Sequence, residues 1–168
     1  MGEKRHSGRT DRCGRSTQRP NPVHQPLHTV ADAKGGNGIQ VQISTHAPAC
    51  TVNCRSEHTN FHGTWDAGLI DRVVRDWGAA YADRLEAGWL KSDEASAPGI
   101  DGGTPADWAT PTHQAAQTVW HLLPENRVID NDYLNAVLPV LDRQLGLAGV
   151  RLARFLNDAY ASSQCPVE

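Results

Sequence analysis

The sequence predicts a mainly α-helical protein with one small β-hairpin. Three apolar stripes with the 3.6-residue period of a helix run through Leu69–Leu85, Ala115–Leu123 and Leu134–Leu156. One short stretch alternates instead, Ile39, Val41 and Ile43, as a half-buried strand does. The 168 residues suffice for one domain with a sizeable core. A hydrophobic share of 39% beside a charged share of 21% excludes a chain too polar to fold. No apolar run approaches the ~20 residues of a membrane-spanning helix. At a formal net charge of −3, bulk electrostatics do not draw the chain to a polyanion, so any nucleic-acid contact has to be local or carried by metal ions.

Residues 1–21 are rich in Arg, Ser, Gly and Thr and show no periodicity, which predicts a disordered leader. Lys4, Arg5, Arg9, Arg12, Arg15 and Arg19 have no aromatic residues among them to stack on bases, and this disfavours a nucleic-acid-gripping arm. No hydrophobic segment follows these charges, so no signal peptide is expected. Two prolines between Pro22 and Leu27 mark a turn, and the glycine pair within Lys34–Asn37 marks a tight loop. GIQVQIS then forms one arm of the hairpin.

The segment HAPACTVNCRSEH sets Cys50 and Cys54 between His46 and His58. Taken alone it is either a zinc knuckle or a loop with a local disulfide or two free thiols. A single C-x-x-x-C without a second ligand pair favours the loop. Together with Cys13 and Cys165 these cysteines do not fix a redox compartment.

After Asp66, the residues Leu69, Ile70, Val73, Val74, Trp77, Tyr81 and Leu85 predict a helix interrupted at Gly78. Lys91 to Gly103 has the composition of a linker. Thr104-Pro105 reads as an N-cap with proline at the first helical position. Pro111 is expected to kink or restart that helix before the stripe of Ala115, Ala116, Val119, Trp120 and Leu123. The last helix is expected to start from an Asn131 cap and to bury Leu134, Val137, Leu141, Leu145, Leu152, Phe155 and Leu156. Pro139, Gly146 and Gly149 predict that it is bent or broken.

The residues with the most chemistry are His28, His62 and Asp66. His62 and Asp66 are spaced as neighbours on one helical face. Two neutral imidazoles and a carboxylate suit zinc and leave a coordination position open for water or substrate. The structural alternative is a helix-start pair with Asp66 at the positive end of the dipole and His28 a plain loop residue.

Four strings occur in order along the chain: HQPLH ending at His28, GGN ending at Asn37, N-F-H-x-x-W-D from Asn60 to Asp66, and AGVRLARFLN near the C-terminus. Together they resemble the S1/P1 single-strand-specific zinc nucleases, relatives of bacterial zinc phospholipase C. The resemblance runs from about Val23 to Tyr160 and corresponds to the later part of the family domain. It implies a mostly helical phospholipase C/nuclease-like fold with a three-zinc cleft. The implied activity cleaves RNA and single-stranded DNA at the 3′ O–P bond, leaving 5′-phosphates, in a secreted or periplasmic protein. By position, His28, His62 and Asp66 match the ligands of the zinc that stands apart from a close pair and stabilises the leaving oxygen. Asn37, after Gly35 and Gly36, matches the substrate-side loop, which makes Asn37 and Gly36 candidate substrate contacts. His24 matches no ligand and is expected in a supporting or surface role.

Departures from the family pattern accompany these matches. An upstream histidine and a bridging aspartate are replaced by Gln18 and Pro22, and Pro111 stands where the family has a glutamate. The remaining upstream ligands and helices have no counterpart. The expectation is therefore an N-terminally incomplete domain over residues 22–168 with ligands for one zinc. It is either a nuclease or a non-catalytic single-zinc remnant, with a phospholipase C-like phosphodiesterase as the further alternative. Apolar helix faces left uncovered would pair with another chain or aggregate.

Overall fold

The computed structural model describes residues 23–44, 56–74 and 78–162. Its fold is mainly helical around a small sheet, as the periodicity predicts. Strands β1 (Gln40–Ser44) and β2 (Ser56–Asn60) pair antiparallel, with Val41 opposite Thr59. Val41 and Ile43 turn into the core, each 2% exposed. A third strand, β3 (Val128–Ile129), adds to β1 in parallel and gives the order β2-β1-β3, so the hairpin is part of a larger sheet than expected.

From β2 the chain passes directly into helix. Asn60 caps α1 (Phe61–Gly63) by accepting from the Gly63 N–H at 2.7 Å, and the Phe61 N–H donates to Ile39 O at 2.8 Å. A π turn, Thr64–Gly68, links α1 to α2 (Leu69–Val73). Phe61, Trp65 and Leu69 share the inner face of this run and are almost wholly buried. The Phe61 ring meets Trp120 and Tyr133 edge-on at 5.6 and 6.3 Å, and Trp65 Nε1 donates to the Tyr133 hydroxyl at 3.1 Å. The helical stripe is interrupted near Gly78, as predicted: Val74 is extended and α3 (Ala79–Ala87) starts afresh.

Helix α4 (Pro105–His121) opens on a full capping box between Thr104 and Asp107. Of the kink or restart expected at Pro111, the restart does not occur: the helix runs continuously through it. The proline removes the donor to the Asp107 carbonyl, and Asp107 is exposed, so water can take that place.

Helix α5 (Asn131–Ser162) likewise continues through Pro139, whose unpaired carbonyl partner Asn135 is also exposed. Its cap is Asp130 instead of Asn131. The Asp130 carboxylate accepts from Tyr133 N at 2.9 Å, while Asn131 accepts from the Arg72 guanidinium. Gly146, inside the helix, makes room for Trp89, because a Cβ there would lie 2.1 Å from its ring. Arg84 holds Asp142 through two hydrogen bonds of 3.0 and 2.7 Å, and the Tyr81 hydroxyl donates to the same carboxylate, which fixes α3 against α5.

The first turns of α5 bury Leu134, Val137 and Leu141, as expected, and Leu145 packs partly buried against them. The expected burial of Leu152, Phe155 and Leu156 does not occur: they are 46%, 42% and 45% exposed. The leader, the Cys50–Cys54 loop with His46, Cys13, Cys165, Trp77, Gln18 and Pro22 lie outside the described residues.

Candidate metal centre

His28 sits in a 3-10 turn, Pro26–Thr29, whose first N–H is capped by the Gln25 side chain. His62 and Asp66 project from α1 and the π turn, each about 100° round the helix from the buried Phe61 and Trp65 that precede them. The asparagine, phenylalanine and tryptophan of N-F-H-x-x-W-D build and bury the helix start, and its histidine and aspartate face away from the core.

The three side chains converge. His28 Nε2 lies 3.6 Å from Asp66 Oδ1, and His62 Nε2 lies 3.5 Å from Asp66 Oδ2. The two imidazoles stack with centroids 5.0 Å apart, and one ligand atom from each residue falls within 4.8 Å of the others. Tetrahedral zinc with ligand distances of about 2.0–2.2 Å needs donor atoms roughly 3.3–3.6 Å apart. The two imidazole–carboxylate distances have that spacing, on different oxygens of Asp66, and the set closes to within 4.8 Å, so the three residues could hold a metal ion. His62 Nδ1 contacts Gly35 O at 2.7 Å. A carbonyl only accepts, so the Nδ1 proton is donated to it and the Nε2 lone pair is turned toward Asp66 and His28.

The Lys34–Asn37 loop makes that contact possible. Gly35 and Gly36 have φ of 65° and 88°, and a Cβ on Gly35 would stand 2.9 Å from Leu27 O. A Cβ on Gly36 would press on Phe61, Leu27 and the His62 N–H, at 3.2–3.3 Å. The glycine pair therefore lets the loop lie flat on the helix start. Ala33 and Lys34 share the left-handed conformation, with φ of 45° and 58°.

Two hollows adjoin the triad. A cleft of about 680 Å³ reaches from His28 and Asp66 to Trp108, Leu145 and Phe155 and is mostly apolar. A smaller hollow of about 400 Å³ is bounded by His28, His62, Lys34 and Gly35. His24 stands in the cleft wall, its ring 5.3 Å from Trp108, with Arg151 Nη1 donating to its Nε2 at 2.9 Å. Burial, reinforced by the Arg151 charge, lowers its pKa to about 4.

The family model for S1/P1 Nuclease matches residues 22–161. The chain belongs to the S1/P1 nuclease family. It is 24% identical over 160 residues to Nuclease P1 of Penicillium citrinum, covering 82% of this chain and 53% of that protein. To Endonuclease 2 of Arabidopsis thaliana it is 26% identical over 153 residues, covering 80% and 47%. To Nuclease S1 of Aspergillus oryzae it is 27% identical over 152 residues, covering 80% and 49%. The chain thus spans about half the length of these curated relatives.

The fold brings His28, His62 and Asp66 together. It places Asn37 on the neighbouring loop, exposed, with its amide donating to Lys34 O at 3.0 Å. Gly36, in the same loop, is buried. Sequence reasoning missed Gln25, whose Nε2 donates to Asp66 Oδ1 at 2.8 Å, the Gly35 carbonyl and Lys34. A contact between Gln25 and Asp66 across 41 positions leaves no local signature.

Proposed function

We propose that this chain carries the phosphate-holding, leaving-group side of a zinc-dependent nuclease site acting on single-stranded DNA and RNA, with 5′-phosphorylated products. The convergence of His28 Nε2, His62 Nε2 and the Asp66 carboxylate carries the proposal. Two neutral imidazoles and one carboxylate sum to a charge of about −1, so a bound dication leaves a net positive charge that attracts a phosphodiester. Zinc held there supplies a Lewis acid for a phosphoryl oxygen and the departing oxygen.

The residues divide this work. His28 and His62 present lone pairs, and the Gly35 carbonyl holds the His62 ring in the required tautomer. Lys34 lines the smaller hollow beside both imidazoles and is placed to meet a phosphate oxygen. Asn37 supplies an exposed amide on the same loop, and Gly36 contributes by the side chain it lacks. The apolar cleft on the other side of the triad, continuous with the exposed end of α5, suits a covering polypeptide segment better than a phosphodiester. Secretion or a periplasmic location belongs to the same proposal and rests on the family resemblance.

A second reading, one zinc held without hydrolysis, is favoured by one observation. Among the described residues a single group of three potential ligands comes together. Purified chain supplied with zinc and offered single-stranded DNA and RNA at mildly acidic pH separates the two. Release of 5′-nucleotides above a His62→Ala control supports the nuclease. Zinc uptake with no release above that control leaves the non-catalytic reading standing.

A further inference from the structure

Gln25 links the two segments that deliver the metal ligands. We propose that it is a positioning residue for the metal centre, a single amide that sets Asp66 relative to His28. The inference rests on the metal-site reading above.

The amide has two ends and each has a partner. Oε1 accepts from the Leu27 N–H and so caps the 3-10 turn that contains His28. Nε2 donates at 2.8 Å to Asp66 Oδ1, the same oxygen that faces His28 Nε2 at 3.6 Å. The orientation of the amide is chemically determined. A backbone N–H can only donate, so the oxygen must face Leu27 and the NH2 group must face the carboxylate. Asp66 is 46% exposed in its side chain, and its contacts with the two imidazoles, at 3.6 and 3.5 Å, are longer than the 2.8 Å bond from Gln25. The Gln25 bond is thus the shorter tie on the carboxylate before any ion arrives. His62 is held separately by Gly35. Each ligand-bearing segment is thus tied to another part of the site by a neutral polar group, and none of these ties adds charge to the donor set. Outer contacts of this kind typically change metal affinity by about 10–100-fold.

The test uses the full chain, zinc affinity by competition with a chromophoric chelator, and the visible spectrum of the cobalt-substituted protein. In Gln25→Met, which keeps length and loses both hydrogen bonds, zinc affinity should fall about 10–100-fold. The cobalt bands should shift in the same variant, while its metal-free melt should fall only modestly, by the loss of the Leu27 cap. Wild-type affinity and an unchanged cobalt spectrum in Gln25→Met would overturn the role of Gln25. A wild-type chain that takes up no zinc overturns the metal-site reading itself, and the inference with it. Should Gln25→Met fail to fold, the side-chain amide resonances of Gln25 in the wild-type chain decide the matter. They should move on zinc addition, and resonances that stay in place while zinc binds would overturn the proposal.

Discussion

The run from Phe61 to Val73 and the last turns of α5 are both amphipathic, yet only the first has its apolar face covered. Phe61, Trp65 and Leu69 are at most 3% exposed, whereas Leu152, Phe155 and Leu156 stand at 42–46%. Both segments border the same cleft, one through Trp65 and Asp66 and the other through Leu152 and Phe155. The candidate ligands are therefore carried by the covered part of the molecule, and the exposed end of α5 lines the same cleft.

The largest effect should come from breaking the covered side. Phe61→Ala removes a fully buried ring from between Trp120 and Tyr133, and should cost about 3–5 kcal/mol in a chemical denaturation experiment. Next in size is ligand linkage. Zinc at about 100 times its Kd should raise stability by about 2.7 kcal/mol, and the gain should vanish in His62→Ala. Equal stabilisation of that variant would place the ion elsewhere.

A third test reads the cleft wall through pH. His24 has its pKa lowered to about 4, first by burial and then by Arg151, so the folded state holds fewer protons than the unfolded state between about 4 and its ordinary value of 6.5. The stability this neutral ring contributes is complete above pH 6.5 and is lost as pH falls toward 4. The loss should be on the order of 1–2 kcal/mol, below the full linkage value because the ring is only half-buried. His24→Gln should flatten this acid limb in melts taken across that range.

The smallest effect belongs to the uncovered side. Leu156→Ala, at a position 45% exposed, should change stability by less than about 0.5 kcal/mol. A large loss would mean that the end of α5 is already covered in solution, and the contrast between the two regions would fail.

Local signals carried well from sequence to structure. The alternation of Val41 and Ile43, the Thr104 cap before Pro105 and the spacing of His62 and Asp66 each depend on neighbours a few residues away. Features decided by distant partners were not legible. Strand β3 is two residues long and is defined by pairing with β1. Pro111 is expected to kink or restart its helix and Pro139 to bend or break its own; neither helix restarts or breaks, and the carbonyls that lose their donor belong to exposed residues. The apolar period of α5 predicts a helix correctly and says nothing about what covers each turn. At the site, the ligand types were visible in the chain, whereas the groups that orient them, Gln25 and the Gly35 carbonyl, act across 41 and 27 positions.

Zinc stoichiometry is the most direct test of the central claim, that His28, His62 and Asp66 form one metal site in this half-length chain. Metal analysis of purified protein after zinc loading and removal of excess should find about one zinc per chain in the wild type. The same procedure should find close to none in His62→Ala and Asp66→Ala. A wild type without zinc, or variants that retain it, would contradict the claim.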